Sequence, residues 1–351
     1  MTVFYTTLAL TYLLGLIITL GSERYKKLKI IILLAVISIF VIVSGTRTGI
    51  GDTYFYKHSY ELLAQNPVMD WSGKDFGFTF LSLFLLTIST NPQILVFVTS
   101  LFTQTFNLLV LYQYRNLFEL QVYMYVTSGY WLTSMNGIRQ ALAASILFLG
   151  TSFLVKGKFI YYLIVVLIAS TFHTSALIMI PIYFIVRKKP WSKRIWQLIG
   201  LLIVCFVLYD IFEPIFYKLI EDTSYSEYSA IDEGGSSFIR AFIALIPLCL
   251  SYFFKDKLLL VWPESGIFVN MSLINGIILC FSMYNWIFAR LTYYFQLYNF
   301  ILLPFLISLW PHKKQKRLIY FGFLVCYFIF MYYEQVMGGL GLGYKSIISW
   351  F

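Results

Sequence analysis

A glycine-rich stretch at residues 44–54 carries the first two side chains whose types and spacing suit chemistry. It reads Ser-Gly-Thr-Arg-Thr-Gly-Ile-Gly-Asp-Thr-Tyr and places Arg47 and Asp52 among three glycines. Glycine lets the backbone bend sharply and bring its N–H groups close to a ligand. An arginine in such a loop can bind phosphate oxygens through two N–H groups, and Asp52 can act as a general base or bind sugar hydroxyls. The alternative is a simple turn in which Arg47 and Asp52 form a local ion pair.

Two further polar residues interrupt apolar sequence in the middle of the chain. Arg139 follows Asn-Gly-Ile and is expected in the first turn of a helix. A helix N-terminus favours anions, so a cation at this position indicates a bound anion; contact with lipid headgroups is the alternative. His173 lies in Thr-Phe-His-Thr-Ser between two apolar runs. It can donate to a pyrophosphate, take part in acid–base chemistry, or merely cap a helix hairpin.

Two more arginines, Arg240 and Arg290, lie near the predicted starts of apolar helices. Charged residues in or beside membrane helices are functional candidates by default. The positions of the basic clusters along the chain predict that Arg240 and Arg290, like Arg47 and Arg139, lie at the extracytoplasmic ends of the helices. Lysine and arginine normally concentrate on the cytoplasmic side, so the extracytoplasmic position of these four arginines requires an explanation. Binding of a lipid-linked pyrophosphate substrate would explain it.

Membrane-spanning helices are the elements that must position these residues. The chain has 351 residues, of which 60% are hydrophobic and 12% charged. Ordinary globular proteins have roughly 25% charged residues. The apolar runs are continuous and do not alternate, which predicts helices rather than a barrel. We therefore predict an all-α, polytopic transmembrane helical bundle that forms one integral membrane domain over residues 1–351. Thr2–Leu20 is expected to be its first span, since it lacks a basic start and a signal cleavage site.

The basic clusters set the expected topology. They are predicted to be cytoplasmic and lie at residues 24–29, 156–158, 187–194, 255–257 and 313–317. Counting outward from them predicts about 12 crossings with both termini outside. One of three apolar segments between residues 76 and 135 is then surplus, and Phe76–Thr90 is the shortest, so we expect a re-entrant or partial helix there. The net charge of +10 is divided among these clusters and forms no continuous stripe, which excludes nucleic-acid binding as the explanation.

Two long polar stretches, residues 45–75 and 221–237, are predicted to be extracytoplasmic. Loops of this length are usually functional or disordered. The first is rich in aromatic residues, which favours an ordered cap or an interfacial helix; the second is rich in Ser, Tyr and acids and suits a lid. The four cysteines lie inside apolar runs without CxxC spacing or a neighbouring His, so the sequence predicts no metal site.

An ordered set of short motifs carries a family resemblance across nearly the whole chain. The motifs are Ser44-Gly-Thr-Arg47, Gly51-Asp52-Thr-x-x-Tyr56, Asp75-Phe-Gly-Phe78, Ile138-Arg139-Gln140-Ala-Leu-Ala, Phe172-His173-Thr-Ser-Ala176, Ala289-Arg290-Leu-x-x-Tyr-Phe295 and Tyr344-Lys345-Ser. In these residues the chain resembles the EpsG family of bacterial exopolysaccharide proteins, which are related in role to the Wzy polymerases of O-antigen and capsule.

The resemblance implies a GT-C-like, metal-independent glycosyltransferase without a cofactor, in the bacterial inner (cytoplasmic) membrane. Such an enzyme transfers a growing glycan from undecaprenyl pyrophosphate to another undecaprenyl-linked repeat unit on the periplasmic or outer face. Its partners are these lipid-linked glycans, membrane lipids and a chain-length regulator protein. The residues expected to neutralise the leaving pyrophosphate are Arg47, Arg139, His173, Arg240 and Arg290. Asp52 is the first choice of base, with Glu221, Asp222, Glu227, Asp232 and Glu233 as substitutes.

Two other functions stay open at the level of sequence. A flippase or exporter of lipid-linked saccharide also needs a cationic cavity, but such transporters commonly show internal halves and midplane charges. No internal repeat is visible here. A transferase that adds a single sugar from a polyprenyl-phosphate donor is not separated from a polymerase by these residues.

Overall fold

The structure is a computed structural model that describes residues 1–69, 71, 74–211, 213, 234–338 and 343–348. Helix accounts for 79% of it, which confirms the all-α class. Within the described residues no strand occurs, and the one extended pairing is an isolated antiparallel bridge between Arg47 and Ser346.

We number the described helices in chain order. The first group is α1 (Thr2–Leu20), α2 (Lys26–Gly45), α3 (Thr53–Gln65), α4 (Phe76–Leu86), α5 (Gln93–Gln113), α6 (Phe118–Thr127), α7 (Tyr130–Asn136) and α8 (Ile138–Leu149). The second group is α9 (Thr151–Val155), α10 (Phe159–Phe172), α11 (Met179–Val186), α12 (Lys193–Val207), α13 (Phe238–Phe253), α14 (Lys255–Val261), α15 (Ser265–Phe281), α16 (Ile287–Leu291), α17 (Gln296–Ser308) and α18 (Lys313–Met331). Short helical turns at Glu23–Tyr25, Thr174–Ile178, Thr292–Tyr294 and Tyr332–Met337 adjoin them.

Several of these helices are suited to a membrane, as a multi-pass protein requires. In the described part of the chain, four are long and apolar enough to cross: Thr2–Leu20, Glu23–Gly45, Gln93–Gln113 and Lys313–Met337. Two bent pairs raise the number to six if each pair is one span: α13 with α14, bent by 79°, and Ile287–Tyr294 with α17, bent by 60°. The predicted number of about 12 crossings is not confirmed.

The described part of the chain has fewer long helices than the sequence has apolar runs, because a continuous apolar run does not always form one continuous helix. Gly129 has φ +82° and separates α6 from α7, although residues 120–135 form one apolar run. Gly150 likewise separates α8 from α9. The helix over Phe76–Leu86 has 11 residues, or about 16 Å at 1.5 Å per residue, too short to cross. Four other apolar segments are also short, so length does not single out α4 as the partial span.

The chain divides into two compact units. Unit 1 comprises Met1–Leu149, Thr171–His173 and Trp310–Phe351, and unit 2 comprises Gly150–Ser170 and Thr174–Leu309. The described residues of unit 1 pack α5 against α2 and α8, and α1 against α2 and α6. In unit 2, α15 packs against α11, α13 and α17.

A small apolar cluster in unit 1 joins the helices that carry the candidate residues. Its buried members are Tyr60, Phe78, Leu85, Leu95 and Ile138, which come from α3, α4, α5 and α8. Phe172, at the end of α10, packs against the same cluster. The packing of these side chains against one another fixes the ends of four helices relative to one another. Asp75, Arg139 and His173 are the neighbours in sequence of its members.

Candidate functional site

The carboxylate of Asp75 is the centre of a charged cluster in unit 1. Its Oδ2 atom lies 3.2 Å from Nη1 of Arg139 and 3.2 Å from Nδ1 of His173. The Asp75 side chain is only 3% exposed, so both contacts are made away from bulk water. Asp75 precedes α4 and has φ +66°, a left-handed conformation that Asp and Asn adopt more readily than most residues. The turn before α4 therefore aims this carboxylate at the other two side chains.

The Arg139 side chain is held by its neighbours and is still partly exposed. It lies in the first turn of α8, as the sequence predicts, and donates to Asp75. Its guanidinium carbon lies 5.7 Å from the ring centroid of Tyr56 and 5.8 Å from that of Phe78, which is cation–π range. These contacts orient the guanidinium plane, yet the side chain is 44% exposed. A planar, oriented and accessible guanidinium is well suited to binding phosphate oxygens.

His173 enters the cluster because two backbones approach closely. A Cβ atom on Gly77 would lie 2.2 Å from Oγ1 of Thr171, so only glycine allows α4 to lie against the end of α10. His173 follows directly after α10, and its side chain is 12% exposed. In the neutral tautomer that carries its proton on Nδ1, the Nδ1–H group donates a hydrogen bond to Asp75. The Nε2 atom is then an acceptor. The cluster can thus supply a cation, an oriented imidazole and a fixed carboxylate.

Asp75 is the site residue that our sequence reasoning did not single out. It stands in the Asp-Phe-Gly-Phe motif, and the predicted loop over residues 45–75 ends on it. The signal available in the sequence was an acidic residue placed directly before an apolar helix whose first turn contains a glycine. Its partners are 64 and 98 residues away in sequence, which no local pattern reveals.

Arg47 is held by protein groups on all sides. Its Nε donates to Oγ1 of Thr53 at 3.1 Å, Nη1 donates to Oγ of Ser100 at 3.0 Å and to the Ser44 carbonyl, and Nη2 donates to the Met135 carbonyl at 2.8 Å. The residue is 1% exposed, and burial lowers the pKa of its guanidinium to about 9, so it remains a cation at neutral pH. Asp52 is not among these partners. The pyrophosphate contact predicted for Arg47 stays a prediction, and the contacts present join α2, α3, α5 and α7.

The loop after Arg47 presents Asp52 at the start of α3. Ile50 and Gly51 both have positive φ, +88° and +49°. The loop is pinned where the Asp52 N–H donates to Oδ1 of Asn136 at 2.9 Å. Among the described residues, none hydrogen-bonds or pairs with the Asp52 carboxylate. Because Asn136 ends α7 and Arg139 follows three residues later, the loop and the charged cluster are tied to the same helix junction.

Replacing Gly51 with Ala is expected to destabilise the protein by about 2–3 kcal/mol, because an L-residue is strained at this φ and an added Cβ displaces Asn136. The Cβ would lie 2.1 Å from Oδ1 of Asn136. Thermal unfolding of detergent-solubilised protein measures the effect. Gly49→Ala is the matched control, since no atom lies within 4 Å of its Cβ. Equal unfolding temperatures for both variants would contradict the described loop.

Replacing Arg47 with Met separates a structural role from ligand binding. The substitution roughly keeps the volume but leaves four buried neutral acceptors without their donor, and a buried polar group left unsatisfied typically costs about 1–3 kcal/mol. We expect a much lower unfolding temperature than in the control Arg24→Met, which alters an exposed arginine. Wild-type stability combined with lost affinity for the lipid-linked substrate would instead identify Arg47 as a pyrophosphate ligand.

The remaining predicted residues belong to unit 2 or lie outside the described residues. Arg240 is in the first turn of α13, and Arg290 is in α16 with its guanidinium carbon 4.9 Å from the ring centroid of Trp286. Both belong to unit 2, whereas the Asp75 cluster is built within unit 1. The substitute bases Glu221, Asp222, Glu227, Asp232 and Glu233 lie outside the described residues, as does most of the predicted lid. No group of three or more His, Cys, Asp or Glu that could hold a metal occurs in the described part of the chain.

These features define a class: a helical, multi-pass membrane protein with a buried carboxylate that orients an arginine and a histidine. The model of the EpsG family matches residues 3–345, nearly the whole chain. The protein therefore belongs to the EpsG family. No curated protein and no solved structure matches the chain, and the GT-C-like architecture stays a prediction.

Proposed function

We propose that the protein is a polysaccharide polymerase that joins undecaprenyl-pyrophosphate-linked oligosaccharide repeat units into O-antigen, capsule or exopolysaccharide. The observation that carries this proposal is the Asp75–Arg139–His173 cluster in a chain of the EpsG family, which is a Wzy-type, polymerase-like family. The positions of the lysine and arginine clusters support an active site on the extracytoplasmic face of the bacterial cytoplasmic membrane.

The proposed reaction is a displacement at the anomeric carbon of the donor sugar. A hydroxyl oxygen of the acceptor unit forms the new C–O bond while the bond from the anomeric carbon to the pyrophosphate oxygen breaks. The electron pair of that bond leaves on undecaprenyl pyrophosphate, and the hydroxyl proton passes to a base. Negative charge develops on the leaving group, and preorganised cations stabilise such charge best where water is excluded.

Each residue of the cluster has a role in this scheme. Arg139 binds the pyrophosphate oxygens through its guanidinium group. His173 donates to the same group or takes up a proton through Nε2. Asp75 contacts neither substrate; it positions Arg139 and His173 and balances their charge. Asp52, at the start of α3, is the proposed base, and Arg47 is a positioning residue for the loop that carries it.

The test uses purified protein with a short lipid-pyrophosphate-linked repeat unit and no other enzyme. Products are separated on a gel and compared with those of Arg139→Ala, Arg290→Ala and Asp52→Asn. The proposal requires a ladder of longer lipid-linked chains that the substitutions abolish. A product with one added sugar, or movement of intact substrate between vesicle leaflets without a ladder, would reject polymerisation in favour of a single-sugar transferase or a flippase.

A further inference from the structure

The C-terminal segment Tyr344–Ile347 lies beside the loop that leads to Asp52. Ser346 and Arg47 form an antiparallel bridge. The Thr48 N–H donates to the Lys345 carbonyl at 2.8 Å, and the Ile347 N–H donates to the Thr46 carbonyl at 2.9 Å. These are contacts between residues about 300 positions apart in the chain, so they are not a local turn.

Two side chains of the segment add to this pairing. The Tyr344 hydroxyl donates to the Val43 carbonyl at 2.9 Å, and the Tyr344 ring packs edge-on against Phe4 with centroids 5.8 Å apart. The Ser346 hydroxyl lies 3.1 Å from the Thr46 carbonyl and 2.9 Å from Oγ1 of Thr46. Thr46 is itself 5% exposed, and the segment supplies donors to its buried carbonyl group.

The loop has a conformation that needs such support. Ile50 is β-branched and has φ +88°, a conformation that a residue of this type adopts only under constraint. Strain of this kind persists only where surrounding contacts fix the backbone. Arg47 donates to the Thr53 hydroxyl, which donates in turn to the Ile50 carbonyl in the middle of the loop. Asn136 fixes the far end of the loop at Asp52. The C-terminal segment fixes its near end, at Thr46 and Thr48.

We infer that Tyr344–Ile347 is a positioning segment for catalysis, which holds the Thr46–Asp52 loop in the strained conformation that presents the Asp52 carboxylate to substrate. Tyr344 and Ser346 are its positioning residues: they act through the loop and contact no reacting atom. The catalytic part of this inference rests on the proposed function, while the mechanical part does not.

The first experiment measures turnover in the double variant Tyr344→Phe, Ser346→Ala. Both substitutions remove only hydroxyl groups, and Tyr344→Phe keeps the ring contact with Phe4. With the hydroxyl contacts to Val43 and Thr46 lost, we expect kcat to fall about tenfold while KM for the lipid-linked donor stays within about twofold. Ile348→Ala, an exposed apolar side chain of the same tail, is the control and is expected to match wild type. A raised KM with unchanged kcat would overturn the positioning role.

The second experiment needs no substrate. Amide hydrogen exchange of the purified protein in detergent is followed by mass spectrometry of the peptides that contain residues 46–52. In the wild type the Thr48 N–H donates to the Lys345 carbonyl and the Asp52 N–H donates to Asn136. We expect exchange in these peptides to be about tenfold faster when Tyr344→Phe and Ser346→Ala are introduced, because the segment then holds the loop more weakly. Equal rates would overturn the inference even if the polymer ladder forms. Faster exchange would uphold the mechanical part even if no ladder forms.

Discussion

Asp75→Asn is expected to lower the rate of polymerisation by about 100- to 10,000-fold, because it weakens two charge-assisted contacts that are worth about 1.5–3 kcal/mol each. The carboxylate lies 3.2 Å from both Arg139 and His173. Asparagine has the same shape and tolerates the left-handed backbone at this position, so the substitution removes the charge without adding strain. The loss should appear in kcat of the purified enzyme, measured by the gel assay.

The control for this prediction is Asp256→Asn, an exposed aspartate in the first turn of α14. It is expected to leave both turnover and unfolding temperature unchanged. The unfolding temperature of Asp75→Asn is also measured, so that a loss of fold is not mistaken for a loss of positioning. Near wild-type turnover in a folded Asp75→Asn protein would show that the carboxylate does not organise the site.

Arg139→Ala is expected to reduce kcat by about 100- to 1,000-fold, the usual effect of removing one preorganised donor from a site of developing charge. Arg139→Lys should recover only part of this loss, because an ammonium keeps the charge but cannot bind two oxygens in one plane. The cation–π contacts with Tyr56 and Phe78 orient the guanidinium; they are lost in Arg139→Ala and altered in Arg139→Lys. Single-turnover measurements with saturating donor separate this effect from weaker binding.

The chain offers a matched control for Arg139. Arg115 also pairs with a carboxylate, Glu23 at 3.3 Å, and also lies over a tyrosine ring, Tyr112 at 4.4 Å. It has similar chemistry but no part in the proposed site. Arg115→Ala is therefore expected to retain turnover, and equal losses in the two variants would mean that Arg139 acts only by stabilising the fold.

The parts of the site that depend on neighbouring residues were predictable from the sequence. Gly137 followed by Ile-Arg-Gln predicts a helix start, and α8 begins at Ile138 with Arg139 in its first turn. The polar break around His173 likewise falls directly after α10. Continuous apolar composition predicted the all-α class, because only a helix satisfies the backbone of such a run within one segment.

The parts that depend on distant contacts were not predictable. An arginine in a glycine-rich loop has the same sequence pattern whether it faces a ligand or is enclosed by protein. The contacts of Arg47 with Ser100 and Met135, 53 and 88 residues away, distinguish the two environments. The predicted number of spans is not confirmed for a related reason: apolar residues show which segments are compatible with a membrane, while breaks such as Gly129 decide where a helix ends.

The most direct measurement of the central claim is the ratio of undecaprenyl pyrophosphate released to glycosidic bonds formed. Both products are quantified by mass spectrometry in one reaction of the purified protein with its lipid-linked repeat unit. A polymerase whose Arg139 and His173 stabilise a leaving pyrophosphate releases one lipid pyrophosphate for each new bond, and Asp75→Asn slows both products equally. Release of lipid monophosphate, or of lipid pyrophosphate without a new bond, would contradict this account.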